Sequence, residues 1–155
     1  MQNRKSEYRG AYQRGSALSF VVDCSVAARW LLPDEATPYT DAIFDLLKEQ
    51  DAIVPALFLS EFSNVFLKLS RQRKLSSALA LSAVQRFSAL WLEVDRNTPD
   101  PERLFTLAAQ YGLSAYDATY LELALRRGLP LACWDGGLKT AAEKAGLFLA
   151  IGLTE

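Results

Sequence analysis

The chain has 155 residues, half of them hydrophobic and 23% charged, with a formal net charge of −1. That is one domain, long enough for a full core, with no apolar run near the roughly 18 residues of a membrane span and no apolar stretch behind the basic N-terminus to make a secretory signal. Histidine is absent, which excludes Ser–His and Cys–His nucleophile pairs and histidine zinc sites, and two cysteines, Cys24 and Cys133, are too few for a disulfide framework and suit a reducing compartment such as the cytoplasm.

Residues 1–18 carry Arg4, Lys5, Arg9 and Arg14 against Glu7, a net of +3, while the remainder carries 13 basic and 17 acidic residues. The polar, basic opening reads as a disordered leader, and 19–155 as the folded domain. Phe20–Asp23 is the first predicted strand, and Ser25–Leu32 a short helix stopped by Pro33. A helix from Pro38 to about Gln50 puts Tyr39, Ile43, Leu46 and Leu47 on one face. Residues 52–55 form a second strand ending at proline, followed by a long helix from Ala56 to about Arg71. Ser76-Ser77 caps a helix from Ala78 to about Leu90. Residues 91–95 form strand three. Pro101 opens a helix to Tyr111 that Gly112 closes, and Ser114 precedes another, from about Tyr116 to Arg127. Strand four spans 129–135, a helix covers 138–145, and strand five spans 147–151. Five apolar strands separated by helices predict an α/β three-layer sandwich with a parallel sheet.

Four acids stand where acids are costly. Asp23 and Asp135 each end an apolar strand, where open α/β sheets place their ligands. Glu61 interrupts the apolar stripe of Leu57, Phe58, Phe62, Val65, Phe66 and Leu69, and Asp117 lies one turn before Tyr120 and Leu121. Glu122 falls off that stripe and is expected in solvent. One unpaired buried carboxylate costs several kcal/mol, about the whole margin of folding stability. Each acid alone could be rescued, Glu61 by an arginine or Asp117 as an N-terminal helix charge. Four together are better explained by a shared divalent cation. Oxygen-only ligands select magnesium or manganese, and the chemistry implied is attack of water on a phosphodiester.

The order and context of these acids resemble the PIN-domain family, and within it the VapC-like toxin ribonucleases. The resemblance rests on Val21-Val22-Asp23-Cys24-Ser25-Val26, on Val54-Pro55-Ala56-Leu57 leading to Ser60-Glu61-Phe62-Ser63-Asn64-Val65, on Leu113-Ser114-Ala115-Tyr116-Asp117-Ala118-Thr119-Tyr120, and on Gly128-Leu129-Pro130-Leu131 running to Asp135 and Leu138. It implies a five-stranded sheet in the order 3-2-1-4-5 and Mg2+- or Mn2+-dependent cleavage of RNA. Asp23 and Asp117 would be the main metal ligands, with Glu61 and Asp135 completing the catalytic quartet. It also implies a homodimer silenced by a cognate antitoxin. Ser25 and Cys133 are candidate supporting residues. The family usually has Thr or Ser where Cys133 stands and basic residues soon after the last acid, where Gly136-Gly137 precede Lys139.

Arg29, one turn past Asp23, is a candidate phosphate or antitoxin contact, as is Lys139. Arg71, Arg73 and Lys74 cluster at a helix end, and Arg126-Arg127 at another; each group suits either the helix dipole or RNA phosphates. Trp30, Trp91 and Trp134 read as core or dimer-interface aromatics, and the two cysteines as small buried thiols. The alternative to a ribonuclease is a catalytically impaired PIN fold that binds RNA or protein. A phosphoaspartyl phosphatase would need an acid where Ser25 stands.

Overall fold

The computed structural model describes residues 18–134 and 136–151. The expected leader, Leu18 apart, and Asp135 lie outside the described residues. Strand β1 (Ser19–Val22) lies at the centre of the sheet. Successive strand residues point to opposite faces, yet Phe20, Val21 and Val22 are all fully buried. Both faces of the sheet are therefore covered, as a parallel sheet requires. β2 (Asp51–Pro55) and β4 (Leu131–Ala132) flank β1, and β3 (Leu92–Asp95) pairs with β2, giving four parallel strands in the order β3-β2-β1-β4.

Seven α-helices accompany these strands among the described residues: α1 (Cys24–Arg29), α2 (Pro38–Leu46), α3 (Leu57–Arg71), α4 (Ser77–Phe87), α5 (Pro101–Tyr111), α6 (Ala115–Arg127) and α7 (Gly136–Lys144). Local chemistry sets their ends. Thr37 and Thr40 exchange hydrogen bonds across the start of α2, Ser76 caps α4, and Ser114 accepts the Asp117 amide at the start of α6. The expected helices over 25–32 and 38–50 stop earlier, at Arg29 and Leu46, because their last turns tighten to three-residue bonds. Stacked rings of Phe58, Phe62 and Phe87 join α3 to α4. α6 packs across β1, β2 and β4.

The expected fifth strand is reduced to one parallel bridge, Leu131 to Phe148, held by Leu131 N–H on Leu147 O (2.7 Å) and Leu149 N–H on Leu131 O (3.0 Å). The physical reason is a tyrosine. In a parallel ladder the next bond would run from Cys133 N–H to Leu149 O. Instead the buried Tyr39 hydroxyl donates to Leu149 O at 3.0 Å and is itself hydrogen-bonded by the Cys133 backbone. The side chain stands where the ladder would continue, and the order 3-2-1-4 gains only that bridge at its edge.

Glu122 overturns the expectation of a solvated side chain. It is 2% exposed. Residues 118–124 of α6 are all buried, so the helix has no solvent face there. Glu122 accepts from Arg126 Nε (3.1 Å) and pairs with Arg103 (3.4 Å). Arg126 also forks onto Asp95 at 3.2 and 3.3 Å, and Arg127 bonds Asp95 and Glu93. Arg126 and Arg127 thus tie α6 to β3 rather than facing only solvent or RNA. Burial by itself would raise the Asp95 carboxyl, but hydrogen bonds from Arg126 and the Asn97 amide outweigh it and hold the group below its ordinary value.

Candidate active site

Asp23 follows the last residue of β1 and caps α1. Its carboxylate accepts from the Val26 amide at 3.0 Å and from the Ser25 hydroxyl at 2.9 Å on both oxygens. It is 8% exposed. Burial pushes its pKa up to about 6; the Ser25 and Val26 donors oppose this, and the charges of Asp117 and Glu61 add to it.

Glu61 comes from the second turn of α3, which packs against α1. It is half-buried, and its Oε2 accepts from the Tyr120 hydroxyl at 2.5 Å. Burial raises its pKa, the Tyr120 bond opposes the rise, and Asp117 reinforces it. Asp117 lies in the first turn of α6, half-buried, and burial raises it against the Ser114 hydrogen bond. Three acids from β1, α3 and α6 therefore act on one another electrostatically. Among the described residues none of the three is in a salt bridge. Nor do three Cys, Asp or Glu side chains close into a cage able to hold an ion by themselves. Magnesium does not need one, because it takes only one or two protein carboxylates and keeps several waters.

Sequence reasoning passed over Tyr120 as a functional group. The signal was present: Tyr120 sits three residues after Asp117, on the same helix stripe. It is 1% exposed, and burial followed by its bond to Glu61 raises its pKa, so it stays a donor. The Cys24 thiol is pushed up to about 12 by burial and by Glu61 and Asp23, and the buried Cys133 thiol is raised by burial and then by Asp23, with Lys139 opposing. Both cysteines are free and stay protonated beside the acids.

The rim is basic and aromatic. Arg29 donates to Ser25 O at 3.0 Å, and its guanidinium lies 5.6 Å from the centre of the Trp134 ring. Its Nε is buried without a hydrogen-bond partner. Lys139 lies over Phe148 at 5.2 Å. The Trp30 indole is engaged by Thr40 O, Trp134 packs near Tyr39, and Trp91 is 46% exposed.

Fold and site together define a parallel α/β domain that presents clustered carboxylates at the carboxyl edge of its sheet. The PIN domain family model matches residues 20–144, and the chain belongs to that family. PIN domains are generally metal-dependent nucleases. Among solved structures the chain is similar to PAE2754 from Pyrobaculum aerophilum, with a TM-score of 0.63 and 23% identity over 82% of this chain and 87% of that one. That likeness concerns the fold. No curated protein matches the chain. No helix among the described residues is long and apolar enough to cross a membrane.

Proposed function

We propose that this chain is a Mg2+- or Mn2+-dependent endoribonuclease, the toxin of a toxin–antitoxin pair, working as a homodimer that a cognate antitoxin silences. One observation carries the catalytic reading: Asp23 at the end of β1, Glu61 of α3 and Asp117 of α6 lie close enough that Glu61 and Asp117 act on Asp23 and Asp117 acts on Glu61, and among the described residues none of the three is in a salt bridge. The donor set is all oxygen, which fits a hard divalent ion. Asp23 and Asp117 would hold it, and Glu61 and Asp135 would complete the site.

When bound, the ion would lower the pKa of an attacking water and neutralise charge growing on the phosphate oxygens. The Ser25 hydroxyl and Val26 amide fix both oxygens of Asp23. Tyr120 holds Oε2 of Glu61 and leaves Oε1 to orient the water. Arg29, braced on Ser25 O and Trp134, is placed for a phosphate or for an antitoxin carboxylate. Lys139 is a second candidate contact for a phosphate or an antitoxin carboxylate, and Cys133 is a supporting neighbour of Asp23. The toxin assignment rests on the motif resemblance, above all Tyr116-Asp117-Ala118-Thr119-Tyr120.

The test is cleavage of RNA with added manganese. Products should carry a 5′-phosphate and a 3′-hydroxyl, and Asp23→Asn should abolish the activity. A 2′,3′-cyclic phosphate would overturn the reading, because the ribose hydroxyl would then be the nucleophile. RNA binding without cleavage by the parent protein would favour the impaired binding module instead. That alternative draws on the thiol at Cys133, a weaker hydrogen-bond donor than the hydroxyl its relatives usually have.

A further inference from the structure

Between Glu61 and Glu93 the chain has no acid, but it has five cations: Lys68, Arg71, Arg73, Lys74 and Arg86. They belong to α3, α4 and the turn joining them, and all five are exposed. None forms a salt bridge among the described residues, whereas Lys48, Arg103, Arg126 and Arg127 all do. We propose that Lys68, Arg71, Arg73 and Lys74 form a track that binds the phosphate backbone of single-stranded RNA and leads it to the acid cluster. Identifying the ligand as RNA rests on the nuclease reading above; the track itself rests on three separate observations.

The first is position. Lys68 follows Glu61 by seven residues, two helical turns, and so lies on the same stripe of α3, about 10 Å further along the axis. Arg71 extends the row by nearly another turn. The basic row therefore begins on the stripe that carries a site acid, so a strand held along it runs on into the site.

The second is repulsion. Lys68 and Arg71 are three residues apart, a spacing at which like charges oppose the helix. Both gain something from the negative end of the α3 dipole. Arg73 and Lys74 lie beyond the helix, yet add charge to the same end.

The third is backbone strain. Arg73 has φ +56°, the one left-handed residue other than glycine among the described residues. It closes α3 in a Schellman turn, with its own amide on Ser70 O and the Lys74 amide on Leu69 O, each at 3.0 Å. α5 and α6 close with glycine in this conformation, Gly112 and Gly128. An arginine here gives up stability that glycine would supply, as residues at binding sites do.

The experiment uses full-length protein with Mg2+ in an Asp117→Asn background, so that bound RNA is not cut. Binding of a fluorescent single-stranded oligonucleotide is followed by anisotropy across a salt series. Combining Lys68→Gln, Arg71→Gln, Arg73→Gly and Lys74→Gln should weaken binding at least tenfold at about 50 mM salt. It should also make the dependence of log K on log salt shallower by about 0.7 for each phosphate no longer neutralised. Arg73→Gly alone should raise the melting midpoint by about 2–4 °C while weakening RNA binding, a split that a purely structural role does not produce. Unchanged affinity and salt slope would overturn the proposal, as would RNA binding left intact while an acidic protein partner no longer binds. The two readings fail separately. Parent protein that binds RNA through the track but never cleaves it sinks the nuclease, and cleavage indifferent to the four substitutions sinks the track.

Discussion

Asp23 and Asp95 are both almost fully buried, 8% and 4% exposed, yet their proton affinities move in opposite directions. The difference lies in what faces them. Asp95 meets two guanidinium groups, which outweigh the cost of burial. Asp23 meets two neutral donors and two further acids. Its pKa is raised from 3.8 to about 6, so the native state holds a proton that the unfolded chain releases between those values. Stability of the metal-free protein therefore falls as pH rises from about 4 to about 6, by on the order of 3 kcal/mol from this group. Glu61 and Asp117, also raised, add in the same sense. Asp95 works oppositely, and its contribution is lost only as pH falls below the ordinary carboxylate range. Thermal melts of metal-free protein should show a midpoint that declines between about pH 4 and 6, and Asp23→Asn should flatten that decline. A midpoint that climbs through this window in the parent would mean that the acids are compensated by cations.

Tyr120 gives a second prediction at this scale. Its hydroxyl fixes one oxygen of Glu61 from a neighbouring helix. Tyr120→Phe keeps the ring in the core and removes only the donor. Loss of a partner that orients a ligand commonly costs about 10- to 100-fold in activity or metal affinity. We expect manganese-dependent cleavage to fall by about tenfold, with stability within about 2 kcal/mol of the parent. Full activity in the phenylalanine variant would show that Glu61 needs no such support.

At the scale of the element, α6 does two jobs with its two ends. Its first turn, capped by Ser114, brings Asp117 to the site, and one turn on comes Tyr120. Its last two turns carry Glu122, Arg126 and Arg127, which lock the helix to β3 and α5. The lock holds the length of the helix still against the sheet, and so fixes where Asp117 stands. Arg126→Ala would leave Asp95 and Glu122 buried with only Arg127 and Arg103 nearby. Removing one partner of a buried pair typically costs about 3–5 kcal/mol. Urea unfolding should show a loss of that order. A loss below about 1 kcal/mol would mean that water reaches these carboxylates freely. The same helix shows why periodicity misplaced Glu122. A stripe predicts orientation only if the helix has a wet side, and α6 between residues 118 and 124 has none.

At the scale of the molecule, strand order decides which residues meet. With β1 between β2 and β4, the carboxyl end of β1 opens beside the start of α3 and the start of α6. Residues 23, 61 and 117, far apart in the chain, come to share one electrostatic environment. Much of this could be read beforehand from local signals. Proline at the first turn of α5, glycine after α5 and α6, and serine before α4 and α6 set boundaries by backbone geometry alone. The apolar runs of β1 and β2 betrayed a sheet covered on both faces. The acids in those surroundings were conspicuous because water is their cheapest partner and their neighbours denied it.

Strand five was misjudged because the rival for its hydrogen bonds, Tyr39, is 110 residues away in sequence. The pairing of Arg126 and Arg127 with Asp95 escaped notice for the same kind of reason, spanning 31 and 32 residues. Composition, spacing and caps determined the alternation of helices and strands, which kind of sheet they build, and that a set of carboxylates is out of place. Only the packed structure decided which charges are neutralised by arginine and which are left facing one another. Charge pairing depends on proximity in space, and in this chain proximity is set by the order of the strands and the burial of a single helix.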